Sequence, residues 1–257
     1  MSDIAVEKDE HGNVLTDFDF EKKDANMMMA YIWFGIIAIF LGGLAGLLQI
    51  MQRSGWITLP NWLTYYQLLT AHGVLLVLVF TTFFIMGYLF SGITRTLDGK
   101  LTSGVRTLGW IGFYLMAIGT IIATILILAN EGTVLYTFYT PMQASPWFYI
   151  GLALLIVGSW ISSAGMFAAY IRWRKNNKGQ PSPLFAYMTV ATLILWIHAS
   201  LAVAVSVVFL IIPWAFGWVP RVDVTLTRTL FWYFGHALVY FWLLPAYIYW
   251  YVNIPQI

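Results

Sequence analysis

Three histidines stand inside long apolar stretches of the chain: His72, His198 and His236. They are the only residues in those stretches that could ionise near neutral pH. An imidazole can bind a metal through one ring nitrogen or carry a proton between its two forms. Polar groups are costly in hydrocarbon, so such residues mark function by default. Around His236 the order is Gly235-His236-Ala237-Leu238-Val239-Tyr240, with Tyr247 and Tyr251 further on. At about 100° per residue, with Tyr240 as zero, His236 falls near −40°, Tyr247 near −20° and Tyr251 near +20°. One helix face would then carry an imidazole and three phenols within about a 60° arc. Phenols in a row can pass protons, given waters or hydroxyls between them. Packing alone would also produce an aromatic stripe in a chain that is 18% aromatic. His11 lies in a polar tail and is discounted.

The elements that must position these residues follow from where the charges lie. Of 257 residues, 60% are hydrophobic and 9% charged, against about a quarter charged in soluble domains. Eight of the 11 acids fall in the first 24 residues. The net charge of +2 excludes a basic nucleic-acid binder. The absence of cysteine excludes disulfides, thiolate chemistry and covalently attached c-type haem. Six runs carry no Asp, Glu, Lys or Arg: 27–51, 66–90, 108–129, 147–171, 186–212 and 229–252. Each is long enough for the ~20 helical residues that cross a bilayer core. The expectation is an all-α polytopic transmembrane helix bundle of six spans. An acidic tail (1–26), expected to be cytoplasmic, precedes the membrane domain (27–257). No cleavable signal peptide is expected. Gly42 and Gly46 form a small-xxx-small pair suited to close helix approach.

Lys and Arg are concentrated in the tail (Lys8, Lys22, Lys23) and the second and fourth connections (Arg95, Lys100, Arg106; Arg172, Arg174, Lys175, Lys178). The positive-inside rule then puts both termini in the cytoplasm of a cell-membrane protein. Spans two and six run inward, and His72 and His236 sit roughly 9–11 Å below the outer edge at 1.5 Å per residue. Two histidines at one depth on different helices could face a shared cofactor plane. His198 lies nearer the middle, has no obvious partner, and reads as structural.

The residues resemble a known family, subunit I of the haem–copper oxygen reductases and specifically its B-type cytochrome c oxidases. Tyr65-Tyr66-Gln67-Leu68-Leu69-Thr70-Ala71-His72-Gly73-Val74 resembles the helix giving an axial ligand to a low-spin haem. Gly235-His236-Ala237-Leu238-Val239-Tyr240 resembles the copper-ligand helix with its cross-linked tyrosine. Thr137-Phe138-Tyr139-Thr140-Pro141, Pro146-Trp147-Phe148-Tyr149 and Pro213-Trp214 are similar to other family segments. The resemblance implies that His72 ligates the iron of a low-spin haem b and His236 the copper of a binuclear centre. Tyr240 would form the covalent His–Tyr pair and donate a hydrogen atom in O–O cleavage. Tyr247 and Tyr251 match the lower part of a proton-uptake route. The implied activity is respiratory reduction of O₂ to water, coupled to proton translocation. Implied partners are subunit II with the electron-donor site, cytochrome c or a similar donor, O₂ and the lipid membrane, with no nucleic acid.

Position 237 is Ala where the family usually has Pro, and Leu238 stands where A-type enzymes place a Glu. The family's catalytic subunit has about a dozen helices, and this chain holds only the first half. The adjacent His pair of the copper site, the high-spin haem ligand and the opposite low-spin ligand are absent, and His198 matches no ligand position. The expectation is therefore the N-terminal half of subunit I, as a truncated or split chain active only with the remaining half. The alternatives are a non-catalytic six-helix scaffold or transporter of the same fold, and a nitric oxide reductase relative. Tyr240 speaks against the last of these.

Overall fold

The computed structural model describes residues 20–97 and 99–254. Residues 1–19, with Lys8, His11 and most of the acidic tail, lie outside the described residues, as do Asp98 and 255–257. Six long helices follow one another, and no strand occurs among the described residues: α1 (Lys22–Arg53), α2 (Tyr65–Leu97), α3 (Ser103–Leu128), α4 (Pro146–Asn176), α5 (Leu184–Ala215) and α6 (Val224–Asn253). Each charge-free run falls within one helix, the third overrunning by its capping residue Ala129. The helices outlast the runs because a helix can continue into the interfacial zone, where charged side chains meet water.

Five of the helices, α1 to α5, are long and apolar enough to cross a membrane. The sixth, α6, has 30 residues and sufficient reach. Its Trp and Tyr residues and His236 lower its hydropathy, and rings of this amphipathic kind are what membrane interfaces favour.

Local chemistry sets the helix ends. Thr64 caps α2 in a reciprocal box with Gln67, Thr102 caps α3, and the Asp223 carboxylate accepts from Leu226 N at 2.9 Å to start α6. Two helices widen into π-turns, at Val74–Phe80 in α2 and Ser206–Ile211 in α5. The second immediately precedes Pro213, whose ring lacks an N–H and crowds the carbonyl four residues back; a wider turn relieves that conflict. The first begins two residues after His72.

The tightest seam joins α3 and α4. A Cβ added at Gly119 would lie 2.3 Å from the Gly151 carbonyl oxygen, and one at Gly158 would lie 2.7 Å from that of Gly112. The pairs Gly112–Gly158 and Gly119–Gly151 repeat every seven residues on antiparallel helices, so the two backbones touch without side chains between them. Lipid supplies no hydrophobic drive for helices to associate, and close backbone packing is what replaces it.

Polar side chains in the bundle pair with one another. The fully buried Tyr31 hydroxyl lies 2.6 Å from both the Gly109 carbonyl and Ser162 Oγ, joining α1, α3 and α4. Trp196 Nε1 donates to Ser159 Oγ at 2.8 Å, and Trp160 Nε1 to Ser200 Oγ at 2.7 Å, joining α4 and α5. At the other end, buried Asp24 accepts from Arg106 Nε at 2.6 Å and Leu101 N at 2.9 Å, tying α1 to the α2–α3 connection.

Gly119→Leu should drive α3 from α4 and cost at least about 2 kcal/mol, as overpacked cores do. Gly104→Leu, with open space around it, should be neutral. Unfolding in mixed detergent micelles measures both.

Candidate functional site

His72 is the eighth residue of α2 and is held against α1. Its Nδ1 lies 2.9 Å from the Gly42 carbonyl oxygen. A carbonyl only accepts, so Nδ1 carries the proton and donates, and Nε2 keeps a free lone pair. That is the tautomer a metal needs, fixed by a hydrogen bond on the ring's other nitrogen. Gly46 makes the seat possible, since a Cβ there would fall 2.5 Å from Nδ1 and 2.7 Å from Cε1. The Gly42/Gly46 pair thus serves packing, as expected, through Leu75 and Leu76 beside Gly42. Its second role, as the cradle of an imidazole, was not read from the pattern.

The connection 129–145 positions this turn of α2 and the start of α6 together. Gln67 Nε2 donates to the Leu128 carbonyl at 2.7 Å, and Leu135 N donates to Thr70 Oγ1 at 3.1 Å. Further along the connection, Thr140 and Thr227 share a hydrogen bond of 2.7 Å, and the Arg228 guanidinium lies over the Tyr139 ring at 5.2 Å. One segment therefore braces the helix of His72 and the helix of His236.

His236 and Tyr240 are neighbours on α6, with ring centroids 5.1 Å apart and planes at 76°. Tyr247 packs on Trp250, and Tyr251 lies one turn beyond Tyr247. All four residues of the stripe are exposed. The opposite face of α6, with Phe231, Phe234, Leu238, Phe241 and Ile248, is buried. Trp196 of α5 stacks on Phe241 at 4.3 Å. The His–Tyr stripe therefore points away from the packed bundle. His72 is held by α1, and His236 lies beside Tyr240.

His198 corrects an expectation. It has a partner: its Nε2 is hydrogen-bonded to the Tyr233 hydroxyl of α6, with the rings 5.6 Å apart. The same arithmetic that found the stripe places Tyr233, seven residues before Tyr240, near +20°. It belongs to the stripe and was overlooked.

Gly46→Ala should push the His72 ring from its seat and cost about 1–3 kcal/mol, while Gly43→Ala, with nothing within 4 Å of its Cβ position, should be silent. Detergent unfolding, with nitrogen-15 spectra of labelled histidine to follow the tautomer, reads both effects.

The family model described as cytochrome c and quinol oxidase polypeptide I matches residues 26–257. Cytochrome c oxidase subunit 1 of Thermus thermophilus is 36% identical over 233 residues, covering 88% of this chain and 41% of that protein. Quinol oxidase subunit 1 of Bacillus subtilis is 23% identical over 241 residues, covering 84% of this chain and 36% of its own length. A solved haem–copper terminal oxidase dimer superposes with a TM-score of 0.83 at 36% identity, over 89% of this chain and 39% of that one. The chain spans about two fifths of the length of these relatives. A glycine-seated histidine on α2, a His–Tyr stripe on α6 and a family match across nearly the whole membrane domain converge: the chain belongs to the cytochrome c and quinol oxidase polypeptide I family.

Proposed function

We propose that this chain is the N-terminal part of the catalytic subunit of a respiratory terminal oxidase of the B type, reducing O₂ to water with electrons from cytochrome c or a similar donor. The observation that carries the reading is the exposed His236–Tyr251 stripe. An imidazole and three phenols facing lipid along a membrane helix would be poorly satisfied. Further helices of the same subunit, laid over this face, would satisfy them and bring the remaining metal ligands. The lengths of the relatives support this, since the chain covers about two fifths of each.

The donor set suits the groups the family implies. His72 would hold the iron of a low-spin haem b through Nε2, because the Gly42 carbonyl keeps the proton on Nδ1. His236 offers an imidazole to copper, with a phenol one turn away. When bound, the two haems and the copper supply electron transfer and the reduction of O₂. The chain's own residues orient and protonate. Gly46 and the Gly42 carbonyl fix the plane and tautomer of His72. Tyr240 holds a transferable hydrogen beside His236. Tyr247 and Tyr251 extend the stripe by about 16 Å from Tyr240 to Tyr251 at 1.5 Å per residue, a length that protons can cross through hydroxyls and waters. The balance of Lys and Arg supports cytoplasmic termini and proton uptake from the cytoplasmic side of the cell membrane. Subunit II would hold the donor site.

In the assembled complex, His72→Ala should abolish the low-spin haem band while a high-spin band remains. Tyr240→Phe should keep both haems and lower turnover by at least about 10²-fold, within the range for loss of a positioned proton donor. Optical spectra with oxygen-electrode rates test this; an unchanged low-spin band in the first variant overturns the ligand assignment.

A further inference from the structure

The His198–Tyr233 pair is not used by the mechanism above. It joins α5 to α6 within the membrane-spanning helices, and Tyr233 stands three residues before His236, about one turn toward the start of α6. By helical angle Tyr233 falls within about 60° of His236, on the stripe that carries the chemistry. A membrane-depth imidazole is costly to keep unless it acts. As a mere helix clamp it is replaceable, because the α5–α6 seam already has the Trp196–Phe241 stack.

The surroundings isolate the pair electrostatically. Leu184–Ala215 contains no Asp, Glu, Lys or Arg, and Val224–Asn253 contains only Arg228. Arg228 is placed over Tyr139 and donates to the Thr140 carbonyl at 3.5 Å. From α4, the Tyr149 hydroxyl accepts from Ala144 N, Tyr170 pairs with Ser182, and Arg172, Arg174 and Lys175 lie in the last turns. From α2, Tyr88 donates to the Pro245 carbonyl, His72 to that of Gly42, and Arg95 lies in the last turn. Tyr233 is thus the ionisable group that faces His198, and the titratable neighbour next along the stripe is His236.

We propose that His198 and Tyr233 form a proton relay on the side of His236 away from Tyr240, taking up a proton when the centre at His236 gains an electron and passing it toward the start of α6. The step balances without redox chemistry. His198 Nε2 and the Tyr233 hydroxyl are hydrogen-bonded, and the relay starts from the neutral tautomer with the proton on Nδ1, in which Nε2 accepts from the phenol. A proton arriving at the phenol oxygen lets the phenol's own hydrogen pass to Nε2. The imidazolium now donates from Nε2 to the phenol oxygen, and Tyr233 stays neutral. Loss of the Nδ1 proton on the far side restores a neutral imidazole in its other tautomer. Return to the starting tautomer needs one rotation of the phenol hydrogen and a ring flip or a water-mediated exchange. No electron moves in any of these steps.

The relay rests on the oxidase reading, so the assembled wild-type complex is first checked for its haem bands; their absence would sink that reading and not the relay alone. In complexes that show them, proton uptake on full reduction is measured with a pH dye in unbuffered detergent solution. Infrared difference spectra with ring-labelled histidine follow the same step. His198→Gln keeps a hydrogen-bonding side chain but cannot titrate, and should lose up to about one proton of uptake together with an imidazolium band. Tyr233→Phe keeps the imidazole but removes its partner, and should reduce that uptake without abolishing it. A His198→Gln complex with wild-type uptake and an unchanged imidazole band overturns the relay and leaves the pair as a helix clamp.

Discussion

Lipid does not solvate polar groups, and nearly every feature of this chain answers to that constraint. Backbone groups are satisfied within helices. Several buried hydroxyls and indoles find partners on neighbouring helices, as Tyr31 does with Gly109 and Ser162, and Trp196 with Ser159. With hydrophobic drive absent between helices, contact comes from backbones brought together at Gly112–Gly158 and Gly119–Gly151. The exposed face of α6 bears His236, Tyr240, Tyr247 and Tyr251, the residues proposed to carry the chemistry.

The same economy positions the two histidines. A glycine in α1 makes room for an imidazole of α2, and a carbonyl of the same helix sets which nitrogen keeps the proton. The end of α3 holds α2 at Gln67, and the connection 129–145 that follows holds α2 at Thr70 and α6 at Thr227, so the helices that bear His72 and His236 are braced together. The π-turn that opens two residues after His72 changes the register of everything beyond it, which separates the rigid seat of the ring from the rest of α2.

Much of this was legible in the sequence because charge is excluded from hydrocarbon: each charge-free run marks one helix, whose ends lie up to seven residues beyond it. The His236–Tyr251 stripe followed from helical periodicity, and the exposed face of α6 bears the same residues. The rest depended on contacts between helices, which periodicity within one helix does not report. Gly46 had the signature of packing and seats a ligand candidate. His198 had no visible partner because Tyr233 lies 35 residues away on another helix. Asp24, one of eight acids in the N-terminal 24 residues, is buried against Arg106 while its charge alone suggested a solvated tail. Tyr233 was within reach of the same arithmetic and needed only to be counted.

The central claim is that the stripe on α6 is covered by further helices of the same subunit around metal groups held by His72 and His236. A cryo-EM map of the complex purified from membranes through a tag on this chain tests it most directly. The account predicts helices against Tyr233–Tyr251, a haem at Nε2 of His72 and metal density at His236. Lipid along that face, with no density at either imidazole, would contradict it.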